Sequence, residues 1–176
     1  MTRTFTVTTR ASVPLEDLFD ASLSVDAHVA SMSASGERAI AGVTSGIMCL
    51  GDSVTWRGRH FGMWLTMTSK ITELERPNVF VDEQQRGPFR RFRHEHRFEH
   101  EDGVTVMRDI ITVASPVFGQ LAERLVLVPY LRRLIRDRGE HLTRTLSGRP
   151  PHAADVTLPY KSWRTQITRS STAATR

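Results

Sequence analysis

The 176-residue sequence predicts an α+β fold, a curved antiparallel sheet of six or seven strands around one long C-terminal helix. Three observations predict it. Apolar and polar residues alternate with a period of two in five successive runs between Asp52 and Val113. Apolar residues then recur at helical spacing through Leu121, Leu125, Val128, Ile135, Leu142 and Leu146. Ahead of the runs, a threonine-rich strand is followed by signals for two short helices. Such a sheet has one wet face and one face that must be covered, and the last helix is placed to cover it.

Residues 2–10, Thr-Arg-Thr-Phe-Thr-Val-Thr-Thr-Arg, read as the first strand. Ser12 is the expected N-cap of the next helix, with Pro14 in its first turn and Glu16 and Asp17 near the positive end of its dipole. A second short helix is expected from about Val25 to Ser31, and a short strand from Arg38 to Ala41. In the first period-two run Val54 and Trp56 share a face; in the second Met63, Leu65, Met67 and Ile71 do. Val79 to Gln85 is the third run, after a break at Pro77-Asn78. The fourth sets Phe92, His94, His96 and Phe98 against a wet face of Arg91, Arg93, Glu95 and Arg97. Val104 to Val113 is the fifth. Turns fall at Gly87-Pro88 and Glu101–Gly103. Ser115-Pro116 ends the sheet, and the final helix spans about 118–146 with a kink near Pro129. Gly148 and Pro150-Pro151 stop it. The expected domain is residues 1–147; residues 148–176 are a basic, Ser/Thr-rich tail expected to be disordered.

Composition excludes several classes of function. The net charge of +5 is concentrated in residues 147–176, where Arg149, Lys161, Arg164, Arg169 and Arg176 face only Asp155. The remaining chain nearly balances, so no concentrated basic face is offered and nucleic acid is not an expected partner. No stretch approaches the roughly 20 apolar residues of a transmembrane helix. The first residues carry no apolar signal segment, so a cytoplasmic location is expected. Cys49 is the single cysteine, which excludes an internal disulfide framework and a multi-cysteine zinc site. It has no basic neighbour to activate it as a nucleophile. Gly42, Gly46 and Gly51 match no phosphate-loop pattern. Arg132, Arg133, Arg136 and Arg138 are expected on the solvent side of the last helix, with weak peripheral contact to an anionic membrane surface as the alternative.

Several segments resemble the SRPBCC superfamily of START and Bet v 1-like proteins. They are Trp56-Arg-Gly-Arg-His-Phe-Gly62, Phe80-Val-Asp-Glu-Gln-Gln-Arg-Gly-Pro-Phe89, Phe92-Arg-His-Glu-His-Arg-Phe98, and Met107-Arg-Asp109 followed by Pro116. The resemblance covers roughly residues 3–146 and is strongest to small bacterial proteins labelled polyketide cyclase/dehydrase. It implies the helix-grip fold, with a cavity between sheet and last helix that takes hydrophobic ligands. Most members have no established reaction, so the shared fold does not carry an activity, and no cofactor is expected.

The expected function is therefore non-covalent binding of a lipid, isoprenoid or polyketide-like molecule. The alternatives are a cyclase or dehydratase, and a protein-interaction module using the basic tail. Expected lining positions on the strands are Val54, Trp56, Leu65, Met67, Ile71, Phe92, Phe98 and Met107; on the last helix they are Leu121, Leu125 and Val128. His94 and His96 point into the same face. A hairpin pivoting at Pro88 puts Asp82 opposite His94, and one pivoting near Glu101-Asp102 puts Asp109 opposite His94 from the other side. Asp82, His94 and Asp109 would then form one polar row across three strands, with His94 held charged between the carboxylates or one acid keeping its proton. Three readings of the row stay open: a network that fixes register, an acid–base or ligand-orienting site, and a metal site. The metal reading is the weakest, because no third histidine falls in register, and no metal is expected. His60 is assigned to a strand end.

Overall fold

The computed structural model describes residues 2–115 and 123–148. The chain runs through β1 (Arg3–Ala11), α1 (Leu15–Leu23), α2 (Val25–Ser31), a 3₁₀ turn (Ser33–Ser35) and β2 (Arg38–Gly42). It continues through β3 (Ser53–His60), β4 (Met63–Glu75), β5 (Val79–Arg86), β6 (Arg91–Glu101) and β7 (Val104–Ala114). A π-helical turn (Glu123–Leu127) then leads into α3 (Val128–Ser147). The tail expected to be disordered lies outside the described residues.

The seven strands form one antiparallel sheet in the order β1-β7-β6-β5-β4-β3-β2. From β2 to β7 each strand pairs with its neighbour in sequence, as a meander of period-two runs requires. β1 is placed by a long-range pairing that sets Arg3 opposite Val113 and Ala11 opposite Thr105. The β6–β7 turn is tight: Glu101 pairs with Val104 across Asp102 and Gly103, both at positive φ. Two successive positive-φ residues match the right-handed twist of the flanking strands.

Ser24 caps α2, accepting from the Ala27 N–H at 3.2 Å. Ser12 does not cap α1, which begins at Leu15 with Pro14 before it and no side-chain cap. The reason is that β1 continues through Ala11, and the next residues are drawn to β7, where Thr105 Oγ1 donates to the Val13 carbonyl at 2.6 Å. In the last helix the α-helical part starts at Val128 rather than near residue 118, and residues 116–122 lie outside the described part. Pro129 falls in the first turn of α3, where its missing N–H leaves no helical bond unmade.

α3 lies along β1 and packs beside α1 and α2. A Cβ on Gly139 would stand 2.3 Å from Thr9 Oγ1, so a glycine at this position lets the helix approach the strand. Two apolar clusters flank the space between helix and sheet. One centres on Phe19 of α1, edge-on to Phe80 and Phe98, with Leu18, Met107 and Leu142 around it. The other joins Phe5, Phe92, Ile111 and Val113 of the sheet to Leu131 and Ile135 of α3.

Candidate ligand cavity and its polar clusters

Between these clusters the sheet and α3 leave a cavity of about 150 Å³. Val54 and Trp56 of β3 wall it, with Leu65, Met67 and Ile71 of β4, and Leu131 and Ile135 close it from α3. Phe61 at the β3–β4 turn, Phe89 at the β5–β6 turn and Tyr130 border it without being buried. The period-two patterns explain the walls: each strand presents alternate apolar side chains to the same face.

Polar groups enter this apolar space at two places. In the first, Asp82 stands opposite His94 across β5 and β6, as expected. Asp109 of β7 stands opposite His96, not His94, which pairs with Ile111. The tight turn at Asp102-Gly103 moves the pairing two residues from the expected register; an even shift keeps Asp109 on the inner face. Asp109 Oδ1 accepts from His94 Nε2 at 2.9 Å and lies 2.8 Å from His96 Nδ1. Asp82 Oδ2 lies 3.1 Å from His96 Nε2 and 3.8 Å from His94 Nδ1.

The charges of this row follow from its geometry. Burial pushes the Asp109 carboxyl up, but hydrogen bonds from both histidines outweigh it and hold the group below the usual carboxylate range. Burial likewise opposes ionisation of Asp82, and His96, with the charges of His94 and Arg138, lowers it overall. Burial lowers His94, and the neighbouring His96 charge lowers it further against the pull of Asp109. Burial lowers His96 too, yet Asp109 and Asp82 on either side raise it above the ordinary histidine value. The two carboxylates thus favour the charged form at His96 over His94, and both acids are held below their ordinary range rather than either being driven to keep its proton.

The second cluster was not expected as a unit. Glu37, just before β2, bonds His28 Nε2 of α2 at 2.7 Å and His60 Nε2 of β3 at 3.2 Å. His60 Nδ1 is 2.6 Å from the Tyr130 hydroxyl. Burial would raise the Glu37 carboxyl, but the two histidines hold it down at about 2. Burial and the Glu37 charge push the Tyr130 phenol up. Gly58 makes room, since a Cβ there would meet Glu37 Oε2 and His60 Nε2 at 3.1 Å each.

The expected lining residues divide. Val54, Trp56, Leu65, Met67, Ile71, Phe92, His94 and His96 border the cavity, and so does Asp82. Asp109 lies behind the histidines, fully buried. Phe98 and Met107 face inward but sit under α1: Phe98 packs on Phe19, and Met107 Sδ accepts from Ser22 Oγ at 3.5 Å. Alternation fixes the face of a side chain; position along the strand decides whether α1 already fills it. Leu125 is 62% exposed on the π turn, and Val128 packs against the second apolar cluster rather than the cavity. Leu121 lies outside the described residues.

Arg138 is a further correction. It is 5% exposed, borders the cavity and donates from Nη2 to the Ser22 carbonyl at 2.8 Å. Its position was readable, because Leu131, Ile135, Arg138 and Leu142 follow one helix face at spacings of four, three and four. His60 was readable in the same way, since it continues the inner parity of Val54, Trp56 and Gly58. Glu37 and His28 carried no such signal; they meet through the fold of the α2–β2 connection. Among the described residues, Asp82, His94 and His96 also bring one potential metal-ligand atom each within 4.8 Å of the others.

No family model matches the sequence, and no curated protein matches it. Solved structures do. The Zhui aromatase/cyclase from a Streptomyces species superposes with a TM-score of 0.69 at 14% identity, over 89% of this chain and 100% of that one. The Bet v 1-like protein Ara h 8.0201 gives 0.64 at 12%, over 85% and 100%. The di-domain aromatase/cyclase BexL gives 0.66 at 19%, over 85% of this chain and 51% of its own. At such identities the likeness establishes architecture: the chain has the helix-grip fold of Bet v 1-like proteins, as its resemblance to the SRPBCC superfamily implied.

Proposed function

We propose that the protein binds a hydrophobic or amphipathic small molecule non-covalently in the cavity between the sheet and α3. The observation that carries this reading is an apolar space with polar side chains gathered at two separate places on its wall. Such a site holds an apolar body and orients it by a polar end. A volume of about 150 Å³ accommodates a ring-sized body; a longer ligand extends past Phe61 and Tyr130. The aromatase/cyclases that share the fold are compatible with a polyketide-like molecule among the candidates. The test is native mass spectrometry of freshly purified protein, followed by titration with fatty acids, sterols, isoprenoids and aromatic polyketides. Saturable binding of at least one class is expected. Binding of none would overturn the reading in favour of a protein-interaction module.

A second reading, a cyclase or dehydratase acting on a polyketide-like substrate, is favoured by one observation. Tyr130, His60 and Glu37 form a hydrogen-bonded chain whose phenol borders the cavity, as the Asp82–His94–His96 row also does. A histidine backed by a carboxylate is suited to moving a proton through a hydroxyl. On this reading Tyr130→Phe and His60→Gln, like His94→Gln and His96→Gln, abolish turnover while ligand affinity stays within about tenfold, because losing an acid or base costs roughly 10²–10⁴ in rate and need not cost binding.

A further inference from the structure

We infer that Asp82, His94 and His96 form a binding site for a divalent first-row transition-metal cation whose remaining coordination positions open into the cavity. The three candidate ligand atoms lie within 4.8 Å of one another. The Asp82 Oδ2 separations from His96 Nε2 and His94 Nδ1 are 3.1 and 3.8 Å. Ligands held at about 2.1 Å from one metal ion stand about 3.0–3.4 Å apart, so small side-chain movements complete the set.

The second observation lies behind the histidines. His94 Nε2 hydrogen-bonds one oxygen of Asp109 at 2.9 Å, and His96 Nδ1 lies 2.8 Å from the same oxygen as an ion-pair contact without hydrogen-bond alignment. A carboxylate on the far nitrogen fixes ring orientation and leaves the near nitrogen as the ligand. It leaves His94 Nδ1 and His96 Nε2 facing Asp82. His94 Nδ1, at 3.8 Å from Asp82, is beyond hydrogen-bond distance of that carboxylate.

The donor set selects the ion. Two imidazoles and one carboxylate suit zinc, iron, cobalt or manganese; calcium and magnesium prefer oxygen alone. The sequence reading discounted a metal for want of a third histidine in register, but Asp82 supplies the third donor from the neighbouring strand. All three donors sit on paired strands, which hold positions more firmly than loops do. With neutral histidines, the cation and Arg138 against Asp82 and Asp109 leave one unbalanced positive charge. A ligand ending in a carboxylate or enolate oxygen would balance it. The inference does not depend on the ligand-binding reading, since metal binding is measured with the cavity free of organic ligand.

The test uses the full chain without an affinity tag, stripped with a chelator and titrated with Co²⁺ by calorimetry and visible absorption. One-to-one binding with ligand-field bands is expected. Asp109→Asn should weaken it by about 10–100-fold, the range for loss of a group that orients metal ligands. Asp82→Asn and His94→Gln should weaken it further, and His100→Gln, at an exposed histidine, should not change it. Circular dichroism confirms the fold of each variant; should His94→Gln not fold, Asp82→Asn at the less buried position decides alone. Absence of binding at millimolar Co²⁺, or an affinity unchanged by Asp82→Asn, overturns the inference.

Discussion

Asp109 on β7 stands directly opposite His96 on β6, and the same carboxylate oxygen accepts from His94 Nε2 at 2.9 Å. One fully buried group therefore hydrogen-bonds one imidazole of the cavity wall and lies 2.8 Å from a ring nitrogen of the other. Side chains on three adjacent strands are tied into one unit whose members cannot be removed singly without stranding another.

Asp109→Ala is accordingly expected to destabilise the protein by about 3–5 kcal/mol, because it leaves the His96 charge without one of its two carboxylates. His94→Phe should cost about 2–4 kcal/mol, since the stranded partner keeps a second histidine. Urea denaturation of both variants measures the pair. A His94→Phe protein as stable as the parent would show that the network contributes nothing to the fold.

Gly139 predicts a steric defect with a specific rescue. Any side chain there meets Thr9 Oγ1, 2.3 Å from the Cβ position. Gly139→Ala should lower stability by about 1–3 kcal/mol, the usual cost of overpacking, despite the better helix propensity of alanine. Thr9→Gly in the same chain should restore most of the loss, because neighbouring sites couple. A double-mutant cycle by thermal or urea unfolding reads the coupling; simple additivity would place α3 farther from β1.

The fold was legible because its signals are periodic. Alternation from Val54 to Val113 marks strands, and the pivot at Pro88 sets Asp82 against His94 without any knowledge of the rest. Where the site depends on one local choice, the sequence was less informative. The β6–β7 pivot is fixed by the positive φ of Asp102 and Gly103, and a one-residue error in it displaced Asp109 from its true partner. Phe98 and Met107 show a different limit: parity places them inward, but only packing shows that α1 covers them. Glu37 has no pattern at all. Its environment is made by His28 and His60, 9 and 23 residues away in the chain.

Glu37 carries the pH prediction. Three groups on different elements face it: His28 on α2, His60 on β3 and Tyr130 on α3. Its carboxyl is held at about 2 against an ordinary 4.5. A folded-state value below the unfolded one means stability that is fully present above the unfolded value and is lost as pH falls toward the folded one. Between about pH 5 and pH 2 this group should account for roughly 3 kcal/mol of acid destabilisation. Urea midpoints of wild type and Glu37→Gln across that window isolate it from the other carboxylates. The difference between the two proteins should shrink as the pH falls; a constant difference would show that Glu37 is not ionised by its histidines.

The cavity reading is tested by placing a charge at graded distances along one strand. Leu65 and Met67 border the cavity from β4, whereas Met63, of the same parity, is 55% exposed beyond it. Alternation gives all three the same face, so a ligand lying against that face as a whole would feel each substitution. A ligand inside the cavity would feel only two. Leu65→Asp and Met67→Asp each set a carboxylate against the apolar body of the ligand, with no lysine or arginine among the wall residues of β3 and β4 to pair it. Each should raise the Kd of the best-binding hydrophobic ligand by more than about 100-fold, equivalent to roughly 2.7 kcal/mol, while Met63→Asp leaves it within about threefold. Both lining residues are only half-buried, so the variants should still fold, and circular dichroism checks this. Equal losses at all three positions would move the ligand to the outer rim near Phe61, and no loss at Leu65 or Met67 would remove it from the cavity.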